Sequence, residues 1–144
     1  MIAVDTNVLV YAHRKDSPFH VTAAQHVIGL AEGRAPWAIP WPCLQEFLSI
    51  VTHPRVYVPP TPLPSALHQV DAWLGAPTLV LLSESEQYCA GLRALLAASQ
   101  VTGPRIHDAR IAALCIQHGI SELWSADRDF SRFAELVVVN PLTR

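Results

Sequence analysis

Ile2-Ala3-Val4-Asp5-Thr6-Asn7-Val8-Leu9-Val10-Tyr11-Ala12 is the stretch that decides the fold. Residues 2–5 read as a short buried strand that ends on a carboxylate. A polar Thr-Asn step follows, and then an apolar helix over 7–13. A strand with no polar face needs cover on both sides, which is the habit of parallel sheets. Asp5 has no basic neighbour before Arg14. Alone it is well suited to cap a helix N-terminus. It becomes more than that only if other acids, distant in sequence, are brought to meet it.

The remainder of the chain repeats the alternation. Ser17-Pro18 supplies an N-cap followed by proline at the first helical position, so a second helix is expected from Phe19 to Leu30, stopping near Gly33. Trp37-Ala38-Ile39 is a second strand. Pro42 opens a third helix, Cys43 to Thr52, ended before Pro54. Pro59-Pro60-Thr61-Pro62-Leu63-Pro64 reads as an extended connector, not helix, and is too short to separate two domains. Ser65 is expected to cap a fourth helix to Leu74. Residues 78–82 form a third strand, and Ser83 or Ser85 starts a fifth helix through Ser99. Gly103-Pro104 breaks the chain before a sixth helix to His118. Residues 123–126 are a fourth strand, 127–133 a short helix or turn, and 136–139 a last strand. Strands alternating with helices imply an α/β fold: a three-layer α/β/α sandwich, in one domain over 1–144, on a mostly parallel sheet of about five strands.

Bulk properties narrow the function. The chain has 144 residues, 51% of them apolar, enough for a real core. No apolar run approaches the ~20 residues of a membrane span, and no basic region precedes the first apolar stretch, so neither a membrane role nor a signal peptide is expected. Cys43, Cys89 and Cys115 are scattered and odd in number. Buried, reduced thiols in a cytoplasmic protein are the expectation. A net charge of −2 argues against general polyanion binding. Lys15 is the one lysine, and four arginines (Arg105, Arg110, Arg128, Arg132) gather in the C-terminal part, where the guanidinium fork suits phosphate.

The acids carry the argument. In open parallel sheets, sites form beyond the carboxyl ends of the strands. Asp5 follows the first strand; Asp127 follows the fourth, with Asp129 two residues on. Each is also acceptable as a helix cap. Glu46 needs a projection at ~100° per residue. Residues 43, 44, 47, 48, 50 and 51 form an apolar stripe, Gln45 and Ser49 point away, and Glu46 falls on the border. Asp108 projects onto the apolar side of its helix, with Ile111 and Ala112 at i+3 and i+4. A buried, unpaired carboxylate is costly, so it either caps a helix or meets a partner from elsewhere. Converging acids must have their repulsion relieved. No lysine is near, and no Cys or His set has zinc spacing; His107 is the one histidine beside a candidate acid. A hard, all-oxygen cage suits Mg²⁺ or Mn²⁺. With arginines on the same rim, phosphodiester hydrolysis is the natural reaction class.

Four segments resemble the motifs of PIN-domain ribonucleases, specifically the VapC toxins of type II toxin–antitoxin pairs: Asp5 to Ala12; Gln45-Glu46-Phe47 with Val51-Thr52-His53-Pro54-Arg55; Ile106 to Ala113; and Leu123 to Phe130. Nearly the whole chain is covered, in the right order. The resemblance implies a metal-dependent endoribonuclease with Asp5, Glu46, Asp108 and Asp127 as its acidic quartet. Asp5 and Asp108 would be direct ligands of Mg²⁺ or Mn²⁺, Asp127 would complete the cage, and Glu46 would orient water or help hold a second ion. Thr6, Asn7 and Ser125 match the positions that brace these carboxylates. Asp127 and Asp129 both remain candidates to face the ion, with Asp127 favoured because it comes directly off the strand. The resemblance also implies an RNA substrate, a cognate antitoxin and a homodimer. A non-cleaving PIN-like RNA-binding module is the alternative. A phospho-acceptor receiver domain is a poorer one, because it needs paired acids after the first strand and a lysine after a late one.

Overall fold

The structure is a computed structural model that describes residues 1–143. Five strands, β1 (Ile2–Val4), β2 (Trp37–Pro40), β3 (Leu79–Leu82), β4 (Glu122–Trp124) and β5 (Val138–Val139), form one sheet in the order β3-β2-β1-β4-β5. Every pairing is parallel. β1 is central, with Ile2 opposite both Trp37 and Glu122.

Six helices connect the strands: α1 (Thr6–His13), α2 (His20–Glu32), α3 (Trp41–Val51), α4 (Leu63–Leu74), α5 (Tyr88–Ser99) and α6 (Ile106–Gln117). The crossovers β1 to β2 and β2 to β3 step one way along the sheet. The crossover β3 to β4 jumps back across β2 and β1. With right-handed connections, α1–α4 cover one face and α5–α6 the other. The contacts agree: α1 packs on α2 and α3, α3 on α4, and α5 on α6. This is the expected three-layer sandwich. Residues on both faces of the middle strands are buried, among them Ala3, Val4, Trp37, Ala38, Ile39 and Leu123. On α3, Cys43, Leu44, Phe47 and Val51 are buried, Gln45 and Ser49 are exposed, and Glu46 is half-buried, as the helical projection requires. Phe47 stacks edge-on against Trp73, with ring centroids 4.8 Å apart.

Several boundaries differ from the sequence expectation, each for a local reason. Ser17 does not cap α2. Its hydroxyl accepts from the Phe19 N–H at 3.1 Å, closing a turn, and the helix begins at His20. Leu63 and Pro64 are not part of the extended connector. They form the first turn of α4, where proline forgoes no intrahelical bond, and Ser65 is therefore inside the helix. Neither Ser83 nor Ser85 starts α5, which begins at Tyr88. Ser85 instead accepts from the Gln87 N–H at 3.2 Å. β4 ends at Trp124, so Ser125 and Ala126 lie beyond the strand end. Cys43 and Cys115 are buried, but Cys89 is exposed on α5. Among the described residues, no helix is long and apolar enough to cross a membrane.

Candidate metal centre

β1 and β4 are neighbours, so their carboxyl ends open onto the same ledge at the centre of the sheet. The chain order reverses there, with β2 on one side of β1 and β4 on the other. Asp5 is the first residue off β1. Its backbone is extended, its amide donates to the Trp124 carbonyl at 3.0 Å, and its side chain caps α1.

Asp5 is buried, and both of its carboxylate oxygens accept hydrogen bonds. Oδ1 accepts from the Thr6 N–H at 2.8 Å and from the Cys43 thiol at 3.6 Å. Oδ2 accepts from the Ser125 hydroxyl at 2.7 Å and from Asn7 Nδ2 at 3.2 Å. Burial still dominates. It pushes the Asp5 carboxyl up from 3.8 to about 6, with the Glu46 charge adding to the rise and the Ser125, Thr6 and Cys43 hydrogen bonds opposing it. Burial also holds the Cys43 thiol far above its usual range, so it stays a neutral donor.

Asn7 and Ser125 rivet the two strand ends together. Asn7 Nδ2 reaches Ser125 Oγ at 3.2 Å, and Asn7 Oδ1 accepts from the Ala126 N–H at 3.1 Å. Ser125 Oγ accepts in turn from the Asp127 N–H at 3.0 Å. Thr6 donates its hydroxyl to Glu46 Oε2 at 2.7 Å, fixing the acid from α3 beside the ledge. Thr6, Asn7 and Ser125 thus each hydrogen-bond an acidic side chain.

The tightest acid group comes from the other side. Asp108, Asp127 and Asp129 each offer a carboxylate oxygen within 4.8 Å of the others. Asp108 sits in the first turn of α6 and does not cap it; Asp127 caps the 3₁₀ turn at 128–132 by accepting from the Asp129 N–H at 2.8 Å. Partial burial raises the Asp108 carboxyl, and the charges of Asp127, Asp129 and Glu46 add to it. Glu46 is the link between the two groups, since Asp5 and Asp108 both feel its charge. Five carboxylates therefore share one ledge.

One of the C-terminal arginines is the counter-ion of this group. Arg105, in the 3₁₀ turn before α6, places Nη1 2.9 Å from Asp129 Oδ1 and opposes part of the rise of the Asp108 carboxyl. Ile111 and Ala112 fill the i+3 and i+4 positions after Asp108, and the cation lies at i−3. It engages Asp129 and leaves Asp127 without an ion pair among the described residues. The donor set is all oxygen, with no histidine or cysteine in the trio, and so fits a hard divalent cation.

This parallel sheet with an acidic ledge at its switch point defines a PIN domain, and the PIN domain family matches residues 2–136. Over 142 residues the chain is 37% identical to Ribonuclease VapC43 of Mycobacterium tuberculosis, covering 99% of this chain and 96% of that protein. It is 29% identical over 139 residues to Ribonuclease VapC48 of the same organism, 96% of each chain. The solved structure of VapBC2 from Rickettsia felis, bound to a DNA fragment from its promoter, superposes with a TM-score of 0.71 at 21% identity, over 97% of this chain and 98% of that one. The chain belongs to the PIN-domain family, among its VapC ribonucleases.

Proposed function

We propose that this chain is a divalent-metal-dependent endoribonuclease, Mg²⁺ or Mn²⁺ being the cofactor, and the toxin of a toxin–antitoxin pair. One observation carries the reading: five carboxylates from four separate segments converge on one ledge, with an oxygen-only trio inside 4.8 Å and Asp5 held largely against its will by burial. A protein does not gather such charge for stability. Asp5, Asp108 and Asp127 would hold the ion, with Glu46 and Asp129 at its edge. When bound, the ion supplies charge for the phosphate oxygens and an acidified water at neutral pH.

The chain's own residues do the rest. Ser125 and Asn7 keep the Asp5 carboxylate aimed and counter part of its burial. Thr6 orients Glu46 so that its second oxygen is free to take a proton from water or position it. Arg105 holds Asp129 and sits where a phosphodiester would approach. RNA as substrate follows from the relatives' names as ribonucleases. A cognate antitoxin and a homodimer are carried over from the family in the same way. The test is cleavage of total RNA by purified protein with Mg²⁺, with EDTA, and with Asp108→Asn. Cleavage with Mg²⁺ alone is the expected result; equal cleavage in EDTA refutes the reading.

A further inference from the structure

Beside the acid ledge is an open cavity of about 440 Å³, with Ser125 of the ledge in its wall. It lies past the carboxyl ends of β4 and β5, and Asp127 is part of its wall, so it is continuous with the ledge. Its size suits a single nucleotide, at the small end of ordinary ligand sites. Val138 supplies an apolar surface, while Ser131, Thr143, Asn140 and Arg128 supply polar groups.

Two of these residues keep donors without a partner among the described residues. Asn140 Oδ1 accepts from the Leu142 N–H at 3.0 Å. An N–H can only donate, so this bond fixes which end of the amide is oxygen. Nδ2 then presents two hydrogens with no partner among the described residues. Arg128 is exposed and, among the described residues, makes no ion pair, unlike Arg105 and Arg110. The pattern is an apolar surface, an amide donor pair and a free guanidinium beside a phosphodiester-cleaving centre. That is the chemistry that receives one nucleotide: its base against Val138, acceptor atoms of the base edge on Asn140 Nδ2, and its phosphate on Arg128.

Resting on the ribonuclease reading above, we propose that this cavity is a nucleotide subsite that holds the ribonucleotide flanking the cut and selects its base through Asn140. Donors alone favour base edges that display adjacent acceptors, such as O6 and N7 of guanine or O2 and N3 of cytosine.

Two measurements separate this from the function it rests on. First, the isotope-labelled protein in EDTA is titrated with each of the four ribonucleoside 5′-monophosphates to millimolar concentration. Amide shifts at Ser131, Asn140 and Thr143, stronger for some bases than others and lost in Ser131→Phe, are expected. No shift there for any nucleotide overturns the subsite, whether or not the protein cuts RNA. Second, a randomised RNA pool is cleaved with Mg²⁺ and the new ends are sequenced. Asn140→Asp keeps the acceptor for the Leu142 N–H but removes the donor, so a purely structural Asn140 would leave base preference intact. The subsite predicts that preference beside the cut falls about tenfold or more in Asn140→Asp. An unchanged preference overturns the role of Asn140. Absence of any cleavage by the wild type refutes the nuclease reading and leaves the titration to decide the subsite.

Discussion

Replacing Asp5 by Asn should make the protein inactive and, at neutral pH without metal, more stable. The Asp5 carboxyl is raised from 3.8 to about 6, chiefly by burial. The folded state thus binds this proton more tightly than the unfolded state. Its contribution to stability is complete below about pH 3.8 and is lost as pH rises through about 6. The rise corresponds, at about 1.4 kcal/mol per pH unit, to about 3 kcal/mol against folding at pH 7.5. Asn removes that charge and keeps the shape. It also replaces one acceptor oxygen by an amide NH2, which turns donors toward the Ser125 hydroxyl and Asn7 Nδ2 and costs about 1–2 kcal/mol. Asp5→Asn should therefore gain about 1–2 kcal/mol at pH 7.5 in EDTA and lose about 1–2 kcal/mol at pH 4. Urea unfolding, followed by the fluorescence of the buried Trp37, Trp73 and Trp124, measures both. Adding Mg²⁺ should stabilise the wild type and not the variant. The reasoning fails if Asp5→Asn is less stable than wild type at pH 7.5, or if the difference between them is the same at pH 4 and pH 7.5.

Ser125→Ala removes the 2.7 Å hydrogen bond that opposes the rise of the Asp5 carboxyl. The acidic limb of its pH–rate profile should move to higher pH, and a limb that stays put would detach Ser125 from Asp5. Arg105→Gln removes the one cation paired within the acid group. Because that pair is partly exposed and worth roughly 0.2–1 kcal/mol, calorimetry should show Mg²⁺ binding tightened about two- to fivefold, and weakened binding would refute a competing role for Arg105. Phe47→Ala opens the core where α3 meets Trp73 and His13. It should cost about 3–5 kcal/mol in urea unfolding, and a loss below about 1 kcal/mol would mean the site collapses to refill.

How much of this was legible beforehand can be judged residue by residue. Asp5 could be placed because the apolar run of β1 stops at it, whereas β4 ends at Trp124, three residues before Asp127, and not at Ala126. Glu46 could be placed because helical periodicity assigned it to the stripe border, and it is half-buried there. The starts of α2, α4 and α5 were misjudged, since Ser17, Ser65 and Ser85 each had a rival local use or position that only the folded backbone decided. Trp37 and Trp73 are in the core, whereas Trp41 opens α3 at 44% exposure. Composition does not say which side of a helix start faces water.

The sequence by itself determined that strands alternate with helices, that the first strand is apolar throughout, and that acids stand at strand and helix ends with no lysine beside them. These follow from local period and local chemistry. The tertiary structure alone decided the strand order that sets β1 against β4 and so brings Asn7 to Ser125 across 118 positions of sequence. It also decided that Arg105 pairs with Asp129 and leaves Asp127 without an ion pair among the described residues. Neither arrangement is local. Each depends on the crossover from β3 to β4 that carries α6 to the opposite face of the sheet, and distances between such segments are set by packing, not by spacing along the chain.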